Sequence, residues 1–258
     1  MSESVIDFYD SFSKDYHLIF KDWDHSIKWH SDTVNKVIAQ YMDTPRNEIS
    51  LFDCSCGIGT QAIGLALLGY KVHATDLSPK AVERAQKEAE RLGTKLTFGV
   101  ADFLKLKEQV NGLFDVVITF DNALPHLLND EDLLTTFKNI WDKLNNNGLF
   151  LGSIRDYDQL IIDRPQIMAP YVIDNKSERR IAFQVWDWEK DSNNYIVNQF
   201  IVTGGNHNWN TTNLSTSYRA IPKKELKNLL EKTGFKDVTW HMPEETSYHQ
   251  PIISAIKK

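Results

Sequence analysis

A short loop with two glycines is the first place where this sequence could bind a ligand. Residues 53–60 read DCSCGIGT and connect an apolar run to a helical pattern. Gly57 and Gly59 let the backbone turn sharply and approach a ligand that a Cβ atom would keep away. In open α/β sheets, ligands bind at the carboxyl ends of the strands. Taken alone, the loop is also compatible with an ordinary tight turn.

Three aspartates follow successive predicted strands and favour nucleoside binding. Asp53 ends the first strand, Asp76 ends the second, and Asp102 follows the third. A carboxylate at the position of Asp76 can accept hydrogen bonds from both hydroxyls of a ribose. Asp102 and the adjacent Phe103 offer an acceptor and an aromatic plane for an adenine ring. Each aspartate alone could be a helix cap, but three in register predict a site.

The class of cofactor depends on whether the loop faces a pyrophosphate or a cation. A dinucleotide-binding loop reads G-x-G-x-x-G and directs a helix N-terminus at the pyrophosphate. The corresponding run here has Ser55 and Gly57 followed by Gln61 and Ala62, so the third glycine is missing. The carboxylate of Asp53 beside the loop would repel pyrophosphate but attract the cationic amino group of S-adenosylmethionine. We therefore favour S-adenosylmethionine, with NAD as the alternative.

Alternating strands and helices predict the frame that holds these residues. Ser78 and Pro79 are an N-cap followed by proline at the first helical position. Repeated βαβ units imply a parallel sheet with helices on both faces. The predicted strands are 49–54, 71–76, 95–100, 114–120 and 149–154, the helices are 60–68, 79 to near 93, and 130–144, and NNNG at 145–148 is a turn.

The segments on either side of this frame have different patterns. Aromatic residues at helical spacings predict N-terminal helices that cover one mouth of the sheet. After residue 155 the sequence alternates like antiparallel strands, with turns at DSNN (191–194) and GGNHN (204–208). Gly234 ends a last helix before two final strands. We expect one domain with a helical lid at 1–45, a cofactor-binding core at 46–155, an antiparallel insertion at 170–220, and a C-terminal helix and hairpin at 221–258.

Composition narrows the range of partners. The chain has 29 basic and 35 acidic residues and a net charge of -6, which argues against a broad nucleic-acid surface. Its polar start lacks the apolar core of a signal peptide, and no stretch approaches the roughly 20 apolar residues that span a bilayer. Cys54 and Cys56 are too close for an unstrained disulfide and too few for a zinc site. We expect a cytoplasmic protein without a metal.

Residues 49–154 resemble a class I S-adenosylmethionine-dependent methyltransferase, with FDCSCGIGT as motif I and ATDLS as motif II. Over most of its length the chain is similar to glycine N-methyltransferases and their bacterial relatives. Residues 121–127 (DNALPHL) resemble the G-N-S-F-A-H-L segment of that family, and 154–158 (IRDYD) resemble its H-R-N-Y-D segment. Ser217 and Tyr218 resemble its S-Y pair. The resemblance implies a doubly wound, mostly parallel, Rossmann-like seven-stranded sheet with a helical lid and an antiparallel hairpin insertion.

The resemblance also implies which residues contact the cofactor. Asp76 is expected to take the ribose, while the backbone near Asp121 holds the methionine portion. Lys28 stands where the family has an arginine, so it keeps the charge but loses the bidentate fork, and His30 is the alternative contact. Tyr16 is either a lid contact or core packing. The complete predicted set is Tyr9, Tyr16, Lys28, His30, Asp53, Cys54, Ser55, Gly57, Gly59, Asp76, Leu77, Asp102, Phe103 and Asp121.

On the acceptor side, the residues that fall on substrate-binding positions of the family are Asn122, Arg155 and Tyr218, with His126 nearby. Arg155 directly follows the apolar strand LFLGSI, so it emerges at the strand end where ligands bind. Its guanidinium could hold a carboxylate with two parallel hydrogen bonds. The alternative is a structural ion pair with Asp156 or Asp158. His126, after a proline, could equally be a structural histidine.

The predicted reaction is methyl transfer from S-adenosylmethionine to a small acceptor, namely an amine of a carboxylate-bearing compound such as glycine or sarcosine. Other N, S or O nucleophiles, an NAD-dependent oxidoreductase, and a non-catalytic cofactor-binding protein are the alternatives. A D/N-P-P-Y motif typical of nucleic-acid methyltransferases is missing after the fourth strand. Trp186 and Trp188 share a strand face. Together with Trp209 they are expected to line a pocket, to cover the sheet, or to form a contact with a second subunit. An oligomer is possible.

Overall fold

The centre of the computed structural model, which describes residues 3–174, 179–205 and 208–258, is a seven-stranded sheet. Five strands run parallel, as the sequence predicts. Of the two C-terminal strands, the inner one is antiparallel to both neighbours. The strands are β1 (Ser50–Asp53), β2 (Lys71–Asp76), β3 (Thr97–Val100), β4 (Phe114–Thr119), β5 (Leu144–Ser153), β10 (Lys236–His241) and β11 (Ile252–Ile256), in the order β3-β2-β1-β4-β5-β11-β10.

A second, antiparallel sheet fills the insertion between β5 and the C-terminal strands. Its order follows the chain, and its strands are β6 (Ile167–Asp174), β7 (Arg179–Trp188), β8 (Asn194–Gly205) and β9 (Asn208–Arg219). The DSNN turn between β7 and β8 is confirmed, whereas residues 206 and 207 of the GGNHN segment lie outside the described residues. Strand β6 was not predicted, because IMAPYVID contains a proline and lacks clear alternation.

Helices cover both faces of the large sheet and lie over its strand ends. They are α1 (Glu3–Phe12), α2 (Trp23–Ile38), α3 (Thr60–Leu67), α4 (Pro79–Arg91), α5 (Leu106–Gln109), α6 (Asp130–Lys143), α7 (Tyr157–Asp163), α8 (Lys223–Thr233) and α9 (Pro243–Thr246), with 3₁₀ turns at Tyr16–Ile19, Phe103–Lys105 and Leu124–His126. Helix α7 was not foreseen. No helix among the described residues is both long and apolar enough to cross a bilayer.

The core is divided by the sheet, because neighbouring residues of a strand face opposite sides. Phe52, Val117 and Phe150 pack with α6 and α8 on one side. Leu51 and Val116, their neighbours in the chain, pack with α2 and α3 on the other. All five side chains are fully buried. Two-sided burial explains why these strands read as continuous apolar runs in the sequence.

Local signals fix the ends of two helices. The Ser78 hydroxyl accepts a hydrogen bond from the backbone N–H of Ala81 (3.0 Å), so α4 begins at Pro79 as predicted. Gly234 adopts a φ of +117° and ends α8, also as predicted.

The predicted turn at residues 145–148 is wrong, because β5 already begins at Leu144. The segment pairs with Lys257, the residue after β11, whose carbonyl accepts from the backbone N–H of Asn147 (2.7 Å) and whose N–H donates to the carbonyl of Gly148 (3.0 Å). Pairing with a distant strand is not visible in a local NNNG pattern. The left-handed φ of +60° at Asn147 shows that the turn tendency persists within the strand.

Candidate active site

A cleft of about 600 Å³ lies at the carboxyl ends of β1, β2 and β4, where the strand order reverses. We call it the strand-end cleft. Helix α1 and the turn after it cover one side. Nine residues that the sequence predicts for cofactor contact line it: Tyr9, Tyr16, Cys54, Ser55, Gly57, Asp76, Leu77, Phe103 and Asp121. The order reversal is the position at which open α/β sheets bind ligands.

Asp76 faces this cleft from the end of β2 and holds the glycine loop in place. Its Oδ2 accepts from the backbone N–H of Gly57 (2.8 Å), and its Oδ1 accepts from that of Ser78 (2.9 Å). Burial raises the pKa of the Asp76 carboxyl, and these backbone donors oppose the shift. Gly57 has a φ of +53°, and a Cβ atom there would lie 3.2 Å from Cε1 of Tyr16. Glycine therefore serves both the left-handed backbone and the close approach of the lid.

Asp121, directly after β4, is surrounded by hydrogen-bond donors. The Tyr248 hydroxyl donates to its Oδ1 (2.6 Å), and Nε2 of Gln61 donates to its Oδ2 (2.8 Å). Burial alone would raise the pKa of Asp121, but two nearby imidazoles and these hydrogen bonds bring it below its usual value. The carboxyl is therefore ionised at neutral pH. Asp121 and Asn122 have left-handed φ values of +54° and +69°, a strained pair of the kind found at functional sites.

The two imidazoles beside Asp121 are those of His30 and His249, whose rings stack at 5.2 Å. Nδ1 of His30 lies 3.8 Å from Oδ2 of Asp121, and Nε2 of His249 lies 3.5 Å from Oδ1. Burial lowers the pKa of His30 to about 4 despite the opposing effect of Asp121. Neutral His30 can therefore accept at Nδ1 from Nε2 of Gln61 (3.0 Å). His30 therefore lies next to Asp121 but does not itself line the cleft.

Four more predicted cofactor residues are not among the residues that line the cleft. Asp53 lies beneath the loop, where its Oδ1 accepts from the backbone N–H of Ser55 (3.1 Å) and burial raises its pKa to about 8. Asp102 accepts from the backbone N–H of Leu104 (2.9 Å), while its neighbour Phe103 does line the cleft. Lys28 is exposed on α2, and Gly59 starts α3 with a φ of +96°. Contact of these four with cofactor stays a prediction.

A second cavity, of about 1220 Å³, adjoins the first between the N-terminal helices and the antiparallel sheet. We call it the lid cavity. Its walls include Arg155, Gln184, Gln199 and Tyr218 together with many apolar side chains. Three residues line both cavities: Tyr9, Tyr16 and Asp121. The two cavities therefore meet at these side chains.

Arg155 presents a guanidinium to the lid cavity. It donates from Nη1 to the Tyr195 hydroxyl (2.9 Å) and from Nη2 to Oε1 of Gln184 (2.9 Å), and it lies over the ring of Trp186 at 4.8 Å. The predicted alternative, an ion pair with Asp156 or Asp158, is not present. Those two aspartates instead pair with Lys223.

The other predicted acceptor residues take three different positions. Tyr218 lines the lid cavity, and its hydroxyl lies 3.4 Å from that of Tyr9. His126 lines the strand-end cleft, where burial lowers its pKa to about 3, so its Nε2 can accept from the Tyr9 hydroxyl (2.8 Å). Asn122 is buried and lines neither cavity. Its Oδ1 accepts from the Tyr157 hydroxyl (2.9 Å) and from the backbone N–H of Arg155 (3.1 Å).

Residues 51–148 match the family model described as Methyltransferase domain. The glycine/sarcosine N-methyltransferase of Aphanothece halophytica is 22% identical to this chain, over 88% of the chain and 82% of its own length. Two further relatives with the same description align over 55% and 58% of their length, so the chain spans little more than half of each.

Residues 51–148 thus match a methyltransferase domain, and the chain as a whole is similar to S-adenosylmethionine-dependent methyltransferases. Solved structures agree on the fold. An S-adenosylmethionine-dependent methyltransferase from Clostridium acetobutylicum ATCC 824 has a TM-score of 0.70 at 16% identity and covers 96% of this chain and 97% of its own. CalS10, an amino pentose methyltransferase from Micromonospora echinaspora solved with bound S-adenosylmethionine, has a TM-score of 0.69 at 13% identity, covering 89% and 92%.

The cleft of this methyltransferase fits its cofactor. Carboxylate oxygens of Asp76 at the end of β2 suit ribose hydroxyls, and Phe103 provides an aromatic wall for the base. Gly57 leaves room that a Cβ atom would fill. The two buried cysteines are free, and the described residues contain no cluster of three or more potential metal ligands.

Several residues that line the strand-end cleft or the lid cavity were not predicted from the sequence. Gln61 lines the strand-end cleft, but the sequence offered it only as a residue that follows the glycine loop. Gln184, Gln199 and His249 had no signal of their own, because strands and loops far apart in the chain bring them together. Of the tryptophans, Trp186 is buried under Arg155, Trp188 stacks on Tyr195, and Trp209 remains exposed.

Proposed function

We propose that this methyltransferase methylates the amine nitrogen of a small acceptor that carries a carboxylate, of which glycine and sarcosine are the simplest examples. The observation that carries the proposal is Arg155, whose guanidinium faces the lid cavity and has no ion-pair partner among the described residues. The aligned relatives described as glycine/sarcosine N-methyltransferases support an amino-acid acceptor.

A partly buried cation without a counter-ion is costly unless a ligand supplies one. The two hydrogen bonds of Arg155 use two of its five N–H donors, so donors remain for a carboxylate. Tyr195 and Gln184 fix the plane of the guanidinium, and Trp186 supports one of its faces. A carboxylate that binds there would be held in one orientation, with charge-assisted hydrogen bonds.

Bound S-adenosylmethionine supplies an activated methyl group on a sulfonium. As the acceptor's lone pair forms the N–C bond, the C–S bond breaks, its electron pair stays on sulfur, and the nitrogen afterwards releases a proton to solvent. Tyr9, Tyr16 and Asp121 line both cavities, so we assign the point of transfer to them. Ionised Asp121 can accept a hydrogen bond from the acceptor's N–H and orient its lone pair. Orientation and exclusion of water are the main contributions of the protein.

A panel of acceptors tests the proposal. The protein is incubated with S-adenosylmethionine and with amines, thiols or alcohols, each with and without a carboxylate, and S-adenosylhomocysteine and methylated product are measured by mass spectrometry. We expect N-methyl products from carboxylate-bearing amines, and loss of this preference in Arg155→Ala. Preferred transfer to a thiol, an alcohol or an amine without a carboxylate would contradict the proposal. Tight cofactor binding without any product would indicate a non-catalytic protein, and stabilisation by NAD alone would indicate an oxidoreductase.

A further inference from the structure

The lid cavity is larger and more apolar than an acceptor the size of glycine requires. Including the solvent at its open mouth it measures about 1220 Å³, against about 600 Å³ for the strand-end cleft measured in the same way. Besides the polar groups near Arg155, its walls include the apolar side chains of Phe8, Phe12, Phe20, Met168, Phe183 and Val197. Pockets lined mainly by apolar side chains with a few polar groups are typical of ligands with an apolar body and a polar end.

These walls are held in place from two sides. Phe12 stacks on Tyr16 with ring centroids 4.7 Å apart, and Phe183 stacks on Phe200 at 4.9 Å. Arg180 of β7 donates to the carbonyl of Leu18 (2.9 Å) and to that of Phe20 (2.9 Å), which attaches the turn after α1 to the antiparallel sheet. The hydroxyl of Tyr171 donates to the carbonyl of Ile19 in the same turn. Hydrogen bonds and ring contacts thus hold the walls of the cavity in place.

We infer that the acceptor is an amino acid with an apolar side chain, of a size between leucine and phenylalanine. This inference rests on the proposed function, because it takes Arg155 as the partner of the acceptor's carboxylate. Its amine lies at the boundary formed by Tyr9, Tyr16 and Asp121, and its side chain lies against the apolar walls. Removing these walls and an apolar side chain from water together favours binding. Glycine at the same position would leave the walls in contact with water.

The test compares kcat/KM for glycine, leucine, phenylalanine and 2-phenylethylamine, the last of which has the apolar body of phenylalanine without its carboxylate. We expect leucine or phenylalanine to exceed glycine at least tenfold, and phenylalanine to exceed 2-phenylethylamine by a similar factor. The same series is repeated with Ala169→Phe, because Ala169 lines the cavity from an exposed position on β6. The added ring should fill the cavity and lower kcat/KM for phenylalanine at least tenfold, and for glycine by a smaller factor.

Ile162→Phe is the matched control, since Ile162 is 74% exposed on α7 and lies outside the lid cavity. It adds a comparable ring and should leave every ratio of the series unchanged. Equal kcat/KM for glycine and phenylalanine, with carboxylate-bearing amines still preferred, overturns this inference alone. If no carboxylate-bearing amine is methylated, or if 2-phenylethylamine equals phenylalanine, the proposed function fails as well. Thermal unfolding and cofactor affinity, measured for both variants, show that each is folded.

Discussion

The strand-end cleft and the lid cavity share three side chains, yet they are built in opposite ways. The cleft is formed by loops that directly follow four strands, and the backbone N–H groups of Gly57 and Ser78 fix the carboxylate of Asp76. The lid cavity is formed by side chains from α1, the antiparallel sheet and the C-terminal loops. The strand-end cleft, which is the proposed cofactor half, therefore depends mainly on backbone geometry, while the lid cavity, the proposed acceptor half, depends on which side chains distant segments contribute.

The largest expected effect falls on the cofactor half. Asp76→Ala should weaken S-adenosylmethionine binding by about 100-fold or more, because hydrogen bonds to a charged group contribute about 1.5–3 kcal/mol each and about 1.4 kcal/mol is a factor of ten. Isothermal calorimetry measures this change. Asp115→Ala is the matched control: Asp115 accepts from the backbone N–H of Ser50 (2.8 Å) at the opposite end of the sheet. Equal affinities in the two variants would place the cofactor elsewhere.

Arg155→Lys tests whether Arg155 binds the carboxylate of the acceptor. The lysine keeps the charge but loses the planar fork, so we expect KM for the carboxylate-bearing acceptor to rise about tenfold, with cofactor affinity unchanged. Steady-state kinetics together with calorimetry separate the two halves. Arg164→Lys is the control, because Arg164 also lies over a tryptophan of the antiparallel sheet, Trp188 at 5.4 Å, but outside the lid cavity. A matching loss of cofactor affinity in Arg155→Lys would show that the halves are not separable.

Tyr9→Phe tests the boundary between the halves. It removes the hydroxyl that joins His126 and Tyr218, so we expect kcat to fall several-fold, with smaller losses in both affinities, because one neutral hydrogen bond contributes about 1 kcal/mol. Tyr41→Phe removes a similar tyrosine–histidine bond, to His241 at 2.9 Å, away from both cavities. It should lower thermal stability without changing kcat. An unchanged kcat in Tyr9→Phe would show that the Tyr9 hydroxyl has no role in the active site.

The smallest effect concerns Asp53 and the pH dependence of stability. The pKa of Asp53 is about 8 in the folded protein against an ordinary 3.8, so between these pH values the folded state binds more protons than the unfolded one. Its contribution to the free energy of unfolding is therefore lost as pH rises through about 8. Asp53→Asn should raise Tm over the wild type by about 3–6 °C at high pH, and by less near pH 5. Thermal unfolding at several pH values checks this, and a gap that does not vary with pH would contradict it.

The cofactor half could be predicted from sequence because its residues lie at fixed offsets after strands. Asp76 ends the six-residue strand β2 and faces the cleft as expected, and Ser78 with Pro79 indicated the start of the next helix. The parallel strands and the lid helices followed from local patterns, and the seven-stranded sheet followed from the family resemblance. Asp53 and Asp102 had the right register, but whether a carboxylate faces the cleft or the loop beneath it depends on side-chain direction, which spacing does not determine.

The acceptor half could be predicted only in part. Arg155 was found because it follows a recognisable strand, and Tyr218 because Ser217 and Tyr218 resemble the S-Y pair of the glycine N-methyltransferases. Gln184 and Gln199 belong to it only because β7 and β8 pair in one register, in which these two residues are opposite each other. The unpredicted β6 brings Met168 and Ala169 into the wall. Long-range pairing of this kind leaves no mark in a local pattern of polar and apolar residues.

The apolar walls of the lid cavity come from two contiguous stretches, the turn and helix near the N-terminus and the sheet from Ile167 to Arg219. Neither stretch contributes a strand to the seven-stranded sheet. Under the proposed function, the preference for one acceptor over another can therefore change during evolution without altering the strands of the large sheet. The two stretches that form the apolar walls could be exchanged between related enzymes as blocks of sequence, which would change the preferred acceptor while the core stays the same.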